Sequence, residues 1–259
     1  MNIRLTHIST ATVLLEIGSL RLITDPVFDP AGGRYFFGYG TSSIKLTEPA
    51  VRVEDLGRID AVLLSHDHHE DNLDRAGRAL LPLAKKVITT SAGAKRLKSN
   101  SIGLKAWQST TLAADGIKIT VTAAPAQHGT LGSHLVVGET SGFILEWPGQ
   151  KHGALYISGD TVWFNGLREI GQRFKVGTAL LHIGAARFPI LGPMRFTLNA
   201  REAVKIFHAL KPHMLIPIHY EGWKHFKETG TDAEQVFEAS GIKEHIHWLP
   251  LGKAVDVEI

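Results

Sequence analysis

The chain has 259 residues, 44% of them hydrophobic and 20% charged, which is enough apolar sequence to bury a substantial core. No apolar run approaches the roughly 20 residues that span a bilayer, and the first residues lead into strand-like alternation, not into the apolar core of a signal peptide. We therefore expect a cytoplasmic protein that forms one globular domain over residues 1–259, and its oligomeric state is left open.

The absence of cysteine restricts the chemistry. It excludes disulfides, thiolate nucleophiles and thiolate ligands, so a bound metal would have histidine nitrogen and carboxylate oxygen as its strong ligands. The net charge of +3 comes from basic residues spread along the chain, without the basic blocks of nucleic-acid-binding proteins. We expect a small-molecule substrate and no nucleic acid. The fourteen histidines, in contrast, cluster in short polar segments after apolar runs.

The N-terminal segment predicts a β-hairpin. Apolar and polar residues alternate between Ile3 and Pro26, with a turn at Gly18-Ser19. From Phe28 to Pro49 the sequence is rich in glycine and aromatic residues and has no periodicity, which predicts a long loop. Long ordered loops are usually functional.

Further along, short apolar runs predict buried strands, several of which end in residues that can ligate metal. Helical spacing of apolar residues predicts helices over Leu73–Leu83 and Ala200–Leu210, and Thr197 and Asn199 are candidate caps of the second. Strands and helices interleave without a linker or repeat, which favours one α/β domain. The predicted strands are Ile59–Leu64, Ile117–Ala123, Ala154–Ile157, Ala179–Leu181 and Met214–Ile218.

The strongest chemical signal follows the first of these strands. Residues 65–74 read SHDHHEDNLD, a burst of imidazoles and carboxylates that leads into the predicted helix. In an extended stretch His66 and His68 point to one side and His69 to the other, so two imidazoles can hold one ion. Asp71, at the turn into the helix, can cap the helix or face a second ion. A surface histidine cluster beside an ordinary capping residue is the alternative at this point.

Three more predicted strands are followed by candidate ligands: His128, Asp160 and His219. One such residue alone is more often a satisfied hydrogen-bonding group than a ligand. Several in series at the strand ends of one sheet can converge, and convergence is what binding a dication requires.

The order and the residues of these segments resemble those of the metallo-β-lactamase superfamily, in particular its lactonase-like and phospholipase-D-like branch, over essentially the whole chain. The stretch LITDPVF at residues 22–28 is similar to the branch's opening signature, and residues 181–185 and 217–220 are similar to its C-terminal half. The resemblance implies an α/β fold, a four-layer αββα sandwich with one or two divalent ions in a cleft along one edge. Zinc is the first expectation, and manganese or iron stays open. The implied or candidate metal ligands are His66, His68, His69, Asp71, His128, Asp160 and His219.

One departure concerns the family's central motif, HxHxDH, because this sequence has one residue too many. Anchored at Ser65, the motif makes His66 and His68 the first pair and puts Glu70 and Asp71 where aspartate and histidine belong.

Anchored instead at Leu73-Asp74, the motif keeps His69 and Asp71 but puts Asn72 in the place of the last histidine. Both registers lose that histidine, so the second ion would be held by carboxylate or amide oxygen together with His219. We expect one of the three clustered histidines to be a bystander.

The resemblance implies a metal-dependent hydrolase in which metal-activated water attacks a small ester, lactone or phosphoester. Asp160 would bridge the ions, and Asp71 would orient the water and accept its proton. His182 and Tyr220 are candidates for binding substrate, or for orienting a ligand. Residues 32–40 and 187–195 are candidates for lining the pocket.

Two other functions stay open. A phosphodiesterase or nuclease would need a basic groove or an added RNA-binding domain, and neither is visible in the sequence. A non-catalytic binding protein on a degenerate metal site is suggested by the missing histidine of the central motif.

Overall fold

The computed structural model describes residues 2–98, 100–130 and 138–259. Strands dominate these residues, and most of them are buried because their apolar side chains lie between or beneath other layers. In chain order the strands are β1 (Asn2–Ser9), β2 (Thr12–Ile17), β3 (Leu20–Thr24), β4 (Arg34–Phe36), β5 (Ser42–Ile44), β6 (Ala61–Leu63), β7 (Lys86–Thr90), β8 (Ser101–Leu104), β9 (Ser109–Ala114), β10 (Ile117–Pro125), β11 (Ser141–Glu146), β12 (Ala154–Ile157), β13 (Val176–His182), β14 (Met214–Ile218) and β15 (Ala254–Glu258).

The strands form two large mixed sheets and a separate hairpin. The first sheet has the order β15-β1-β2-β3-β6-β7-β8, and the second has the order β14-β13-β12-β11-β10-β9. Strands β3, β6 and β7 are parallel to one another in the first sheet, as are β12, β13 and β14 in the second. The hairpin consists of β4 and β5.

The helices among the described residues are short, the longest having 11 residues. None of them is long and apolar enough to cross a membrane. They are α1 (Arg75–Leu80), α2 (Ser91–Leu97), α3 (Gly166–Arg173), α4 (Ala200–Leu210) and α5 (Gly230–Ala239).

The main core lies between the two sheets. Leu15 and Leu63 of the first sheet and Val121 and Phe143 of the second belong to one buried cluster, so the sheets pack face to face. Alternation along the strands places the other side chains on the outer faces, where helices cover them.

Each outer face carries its own helical layer. Leu167 of α3, Ile206 of α4 and Phe237 of α5 pack over the second sheet. Leu80 of α1 and Leu97 of α2 pack over the first. The layers therefore run helix, sheet, sheet, helix, and the expected αββα sandwich is confirmed.

Several predicted elements match the structure and others differ. Strand β14 and helix α4 have the predicted bounds. Asn199 caps α4 through a capping box with Glu202, whereas Thr197 is not the cap: its hydroxyl accepts a hydrogen bond from the Ala186 amide instead. The predicted loop of residues 28–49 is partly wrong, since it contains the β4–β5 hairpin.

The N-terminal half shows two more differences. The predicted first hairpin is a three-strand meander, because β1 pairs with β2 as well as β2 with β3. Helix α1 is shorter than predicted. The Asp74 carboxylate caps its N-terminus by accepting a hydrogen bond from the Gly77 amide, and a 3-10 turn over residues 81–83 follows the helix.

One edge of the sandwich gathers the carboxyl ends of β6, β10, β12, β13 and β14. At this edge the two sheets are joined by backbone hydrogen bonds, in which the Ser141 amide donates to the Ser65 carbonyl at 3.1 Å and the His219 amide donates to the Thr10 carbonyl at 2.9 Å. Residues that follow these strands are therefore held within reach of one another.

Candidate metal centre

Three buried imidazoles converge where the two sheets meet. His66 follows β6, His69 lies in the turn before α1, and His128 follows β10. His69 Nδ1 lies 3.1 Å from His66 Nε2 and 2.9 Å from His128 Nε2. Zinc bonds of about 2.0–2.1 Å in tetrahedral geometry place two nitrogen ligands about 3.3 Å apart. The three nitrogens thus have the spacing of ligands to one ion.

The other ring nitrogens of His128 and His66 have partners that fix these two rings. Nδ1 of His128 lies 2.8 Å from the Phe196 carbonyl, to which it donates in the tautomer in which Nε2 carries no proton. Nδ1 of His66 is 2.9 Å from the Ser65 hydroxyl. Burial, and then the neighbouring imidazoles, lower the pKa of His66 and of His69 well below the ordinary value, and burial also lowers the pKa of His128. The trio is therefore neutral near pH 7 and able to donate lone pairs.

His68 is not among the residues whose nitrogens converge, and its side chain is 25% exposed. Its ring nevertheless contacts the rings of His66 and His69, with centroids 4.8 and 4.6 Å apart. Residues 65–73 bend and turn and do not form a strand, so the alternation assumed from the sequence does not apply. Arg96 pairs with the Asp67 carboxylate, and Arg78 donates to the Asp67 carbonyl at 2.7 Å. These contacts tie residue 67 to α1 and α2 within the bend that lets His66 and His69 face each other.

The structure thus follows neither motif register completely. It takes His66 from the first register and His69, Asp71 and Asn72 from the second, with the extra residue accommodated in the bend at residues 67–68.

A second group lies beside the first and contains carboxylates. Asp160 and His182 are joined at 2.9 Å between Oδ1 and Nδ1. His219 Nε2 lies 3.6 Å from Asp160 Oδ1 and 3.6 Å from Asp71 Oδ2. Among the described residues neither ring nitrogen of His219 has a hydrogen-bond partner. Leaving such a group buried and unsatisfied costs about 1–3 kcal/mol, a cost that a bond to an ion would remove.

Asn72 connects the two carboxylates of this group. In the amide orientation that satisfies both, its nitrogen donates to Asp160 Oδ2 at 3.1 Å and to Asp71 Oδ1 at 3.2 Å. Burial raises the pKa of Asp71, but the hydrogen bond and charge of His225 outweigh burial and hold this pKa well below its usual range. Burial dominates at Asp160 and raises the pKa of that carboxyl.

Of the two predicted substrate-binding residues, His182 belongs to the second group and Tyr220 does not. His182 is fully buried behind Asp160, stacked on the His219 ring with centroids 5.2 Å apart. Burial lowers the pKa of His182 to about 3, so it is neutral and orients Asp160 through Nδ1–H. Tyr220 packs edge-on against Trp248 at 5.2 Å, in the apolar layer between the second sheet and its helices. The structure therefore does not bring Tyr220 to the converging histidines.

Two residues that the sequence analysis missed contact the site. His225 Nε2 lies 3.0 Å from Asp71 Oδ2, and Asp25 Oδ1 accepts the Ser65 amide at 2.6 Å. Asp25 stands in the segment similar to the branch's opening signature, which marked it. His225 lies six residues after His219 in an aromatic-rich segment, and only that proximity could have indicated it.

The backbone at His219 is constrained. His219 has φ of 63°, an uncommon conformation for a residue with a side chain. Gly184, with φ of 99°, passes so close that a Cβ there would lie 2.4 Å from the His219 carbonyl oxygen. The chain that follows β13 thus needs glycine at position 184, because a side chain there would clash with the backbone of His219.

A pocket of about 500 Å³ lies next to this centre. Its walls continue the segments that carry the site: the Val162 amide, two residues after Asp160, donates at 2.8 Å to the carbonyl of Gln127, the residue before His128. It combines apolar surface with a polar rim that includes the Arg195–Glu202 ion pair. The residues that shape it include Gln127, Val162, Trp163, Leu191, Met194 and Arg195.

Aromatic side chains from both predicted pocket-lining segments flank the imidazoles. Phe37 lies 5.7 Å from His69 between ring centroids, and it contacts Phe188 at 5.2 Å. The segments 32–40 and 187–195 therefore meet beside the converging histidines.

Comparison with known proteins agrees with this geometry. A family model described as a beta-lactamase superfamily domain matches residues 20–220. A UPF0173 metal-dependent hydrolase from Pelotomaculum thermopropionicum is 28% identical over 245 residues, 92% of this chain and 92% of the relative. An isothiocyanate hydrolase from Delia radicum gut bacteria has a TM-score of 0.82 at 22% identity, covering 99% of this chain and 100% of that one.

A metallo hydrolase from the archaeon Ignicoccus hospitalis has a TM-score of 0.73 at 21% identity, and the similarity covers 100% of both chains. The family match extends from β3 to Tyr220 and so includes both groups of converging side chains. The chain belongs to the metallo-β-lactamase superfamily, among its metal-dependent hydrolases.

Proposed function

We propose that the protein hydrolyses a small ester, lactone or phosphoester with water activated by divalent metal held at two adjacent positions. The observation that carries the proposal is the approach of three neutral imidazole nitrogens to one point, beside the carboxylates of Asp71 and Asp160. His66, His69 and His128 would hold the first ion. Asp71, Asp160 and His219 would hold the second, with Asp160 shared.

A divalent ion bound there would supply Lewis acidity to water and to the substrate oxygen that gains negative charge. Asp71 stays ionised because of its hydrogen bonds, so it can accept a hydrogen bond from the attacking water and orient it. Its low pKa disfavours long residence of a proton, so a proton that Asp71 accepts must pass on to the leaving group or to solvent. His182 acts through Asp160, which it holds at 2.9 Å.

The two positions suit different ions. Three nitrogen ligands favour zinc at the first position, whereas the carboxylates and single imidazole of the second also accept manganese or iron. The neighbouring pocket of about 500 Å³ fits a small substrate with an apolar part. The volume and lining of the pocket favour a small molecule over a nucleic acid. The spacing of the three imidazole nitrogens at the first position argues against a degenerate, non-binding site.

The test combines metal analysis with hydrolysis. His128→Ala, Asp160→Ala and His219→Ala are purified beside wild type and beside His208→Ala, a control in which an exposed histidine of α4 is removed. Metal content is measured by elemental analysis. Hydrolysis is measured on generic esters, lactones, bis-phosphodiesters and, because of the name of one structural relative, an isothiocyanate.

We expect wild type and His208→Ala to retain at least one equivalent of metal and the three site variants to lose metal and activity together. Unchanged metal in all three site variants would defeat the ligand assignment. Less than half an equivalent in gently purified wild type would favour a non-catalytic protein on a degenerate site.

A further inference from the structure

We propose that His225 is a positioning residue for Asp71, and that it gives the second ion position the support lost with the missing histidine of the central motif. The inference rests on the proposed function, because it concerns the same centre. It assigns a role to a side chain that lies 154 positions from its carboxylate partner in the sequence.

The evidence is a chain of two hydrogen bonds between buried groups. His225 Nε2 lies 3.0 Å from Asp71 Oδ2, and His225 Nδ1 lies 2.7 Å from the Ser43 hydroxyl. All three side chains are buried. The two contacts are satisfied together when the Ser43 hydroxyl donates to Nδ1 and Nε2–H donates to the carboxylate.

This bond fixes how Asp71 presents its oxygens. Oδ1 accepts a hydrogen bond from the Asn72 amide at 3.2 Å. Oδ2 accepts one from His225 and also lies 3.6 Å from His219 Nε2. With both oxygens held, the carboxylate does not need to reorganise when a cation enters. Hydrogen bonds to ligating carboxylates of this kind typically contribute 10–100-fold to metal affinity.

The His225 ring is itself held from several sides. Its backbone carbonyl accepts the Arg187 amide at 3.0 Å, and the neighbouring Lys224 amide donates to the Ile44 carbonyl at 3.1 Å. Phe188 stacks on the ring with centroids 5.0 Å apart and planes 15° apart, and Phe37 packs at 5.0 Å. The β4–β5 hairpin, through Ser43, thus reaches the ion position.

Packing alone would also explain a buried imidazole among aromatic rings, and two substitutions separate the readings. His225→Phe keeps an aromatic ring for Phe37 and Phe188 but removes the donor. His225→Gln keeps an N–H donor near the Nε2 position but removes the ring. A positioning role predicts that Gln is the milder change for metal binding, whereas a packing role predicts that Phe is.

The experiment measures the dissociation constants of both ions by competition with a chromophoric chelator, with zinc and with manganese, together with the melting temperature. We expect His225→Phe to weaken the second ion at least 10-fold and to leave the first within about 3-fold. We expect His225→Gln to retain the second ion within about 3-fold. Where substrate is available, kcat should fall in His225→Phe with KM nearly unchanged.

Two outcomes overturn the inference: a His225→Phe protein that binds the second ion as wild type does, or a reversed order of the two variants. If His225→Phe does not fold, Ser43→Ala decides, because loss of the hydroxyl should weaken the second ion about 3-fold without altering the first, and no change would refute the role. Failure of the proposed function looks different, since wild type itself would then bind no ion.

Discussion

The two proposed ion positions are built on different principles. The first would use three imidazoles whose nitrogens already converge, and a backbone carbonyl and a hydroxyl contact the other side of the His128 and His66 rings. The second is made of carboxylates and His219, and hydrogen bonds among Asn72, His182 and His225 hold its parts.

This difference shows where precision has to come from. At the first position the strand ends and the bend at residues 67–68 place the proposed ligands, so the backbone determines where the three nitrogens lie. At the second position flexible carboxylates must be fixed by neighbours, which makes residues that touch no ion important for binding. A lost motif histidine is therefore tolerated more easily at the second position.

The largest expected effect concerns the first position. His69→Ala removes the nitrogen that lies within about 3 Å of both other imidazoles. We expect loss of the first ion and a fall in kcat of about 10³-fold or more. His68→Ala is the matched control, since it removes the adjacent imidazole and should leave metal content and kcat within about 2-fold. Equal losses in the two variants would contradict the placement of the extra residue at 67–68.

Sequence reasoning located the strand ends but not the order of ligands within them. β14 and α4 were predictable because their apolar runs are bounded by clear turn and cap residues. The choice between His68 and His69 was not predictable, because side chains alternate with period two only in an extended chain and residues 65–73 are bent. Within that bend Asp67 is held by Arg78 and Arg96, which lie 11 and 29 positions away and belong to no recognisable motif.

The same limit applies to His225 and Tyr220. Nothing local distinguishes an imidazole that meets a carboxylate 154 positions away from one that packs in a core. Adjacency to His219 predicts that Tyr220 faces the site, whereas the Tyr220 ring packs against Trp248. Pairings between remote segments are set by the packing of the two sheets, which a single sequence read by pattern does not contain.

The next effect tests the backbone of the second position. Gly184→Ala would place a Cβ 2.4 Å from the His219 carbonyl oxygen, at a residue whose φ is 99°. We expect the free energy of unfolding to fall by about 2–4 kcal/mol and the second ion to bind more weakly than the first. Denaturant unfolding with and without metal measures both.

Gly192→Ala is the control for that substitution, because Gly192 has φ of 67° and nothing lies within 4 Å of its added Cβ. Its cost should be limited to the backbone conformation, φ 67° and ψ −141°, and should be about 1–3 kcal/mol. Similar losses in the two variants would show that the close approach to His219 does not matter.

A smaller effect is expected at Asn72, which holds the two carboxylates of the second position. Asn72→Ala removes donors to Asp71 Oδ1 and Asp160 Oδ2. We expect about a 10-fold weaker second ion, while the first ion serves as the internal reference and changes little. Chelator competition measures both constants, and parallel weakening of the two ions would mean that the positions are not separable.

The smallest effect lies at the other end of β6 and should touch neither position. The buried carboxyl of Asp60 pairs with Lys85 at 2.9 Å and Arg58 at 3.2 Å. Burial raises the pKa of Asp60, but the bonds from Lys85 and the Arg21 amide outweigh it and lower the pKa below its ordinary value. Asp60→Asn should reduce the free energy of unfolding by about 1 kcal/mol at neutral pH.

Because the folded-state pKa of Asp60 lies below the unfolded value of about 3.9, this contribution is complete above about pH 5 and is lost as the pH falls through the folded value. The difference between wild type and Asp60→Asn should therefore shrink in urea unfolding experiments below pH 4. Metal affinity at both positions should be unchanged near neutral pH. A constant difference across the acidic range would show that Asp60 acts through packing, and a loss of metal would show that the two ends of β6 are coupled.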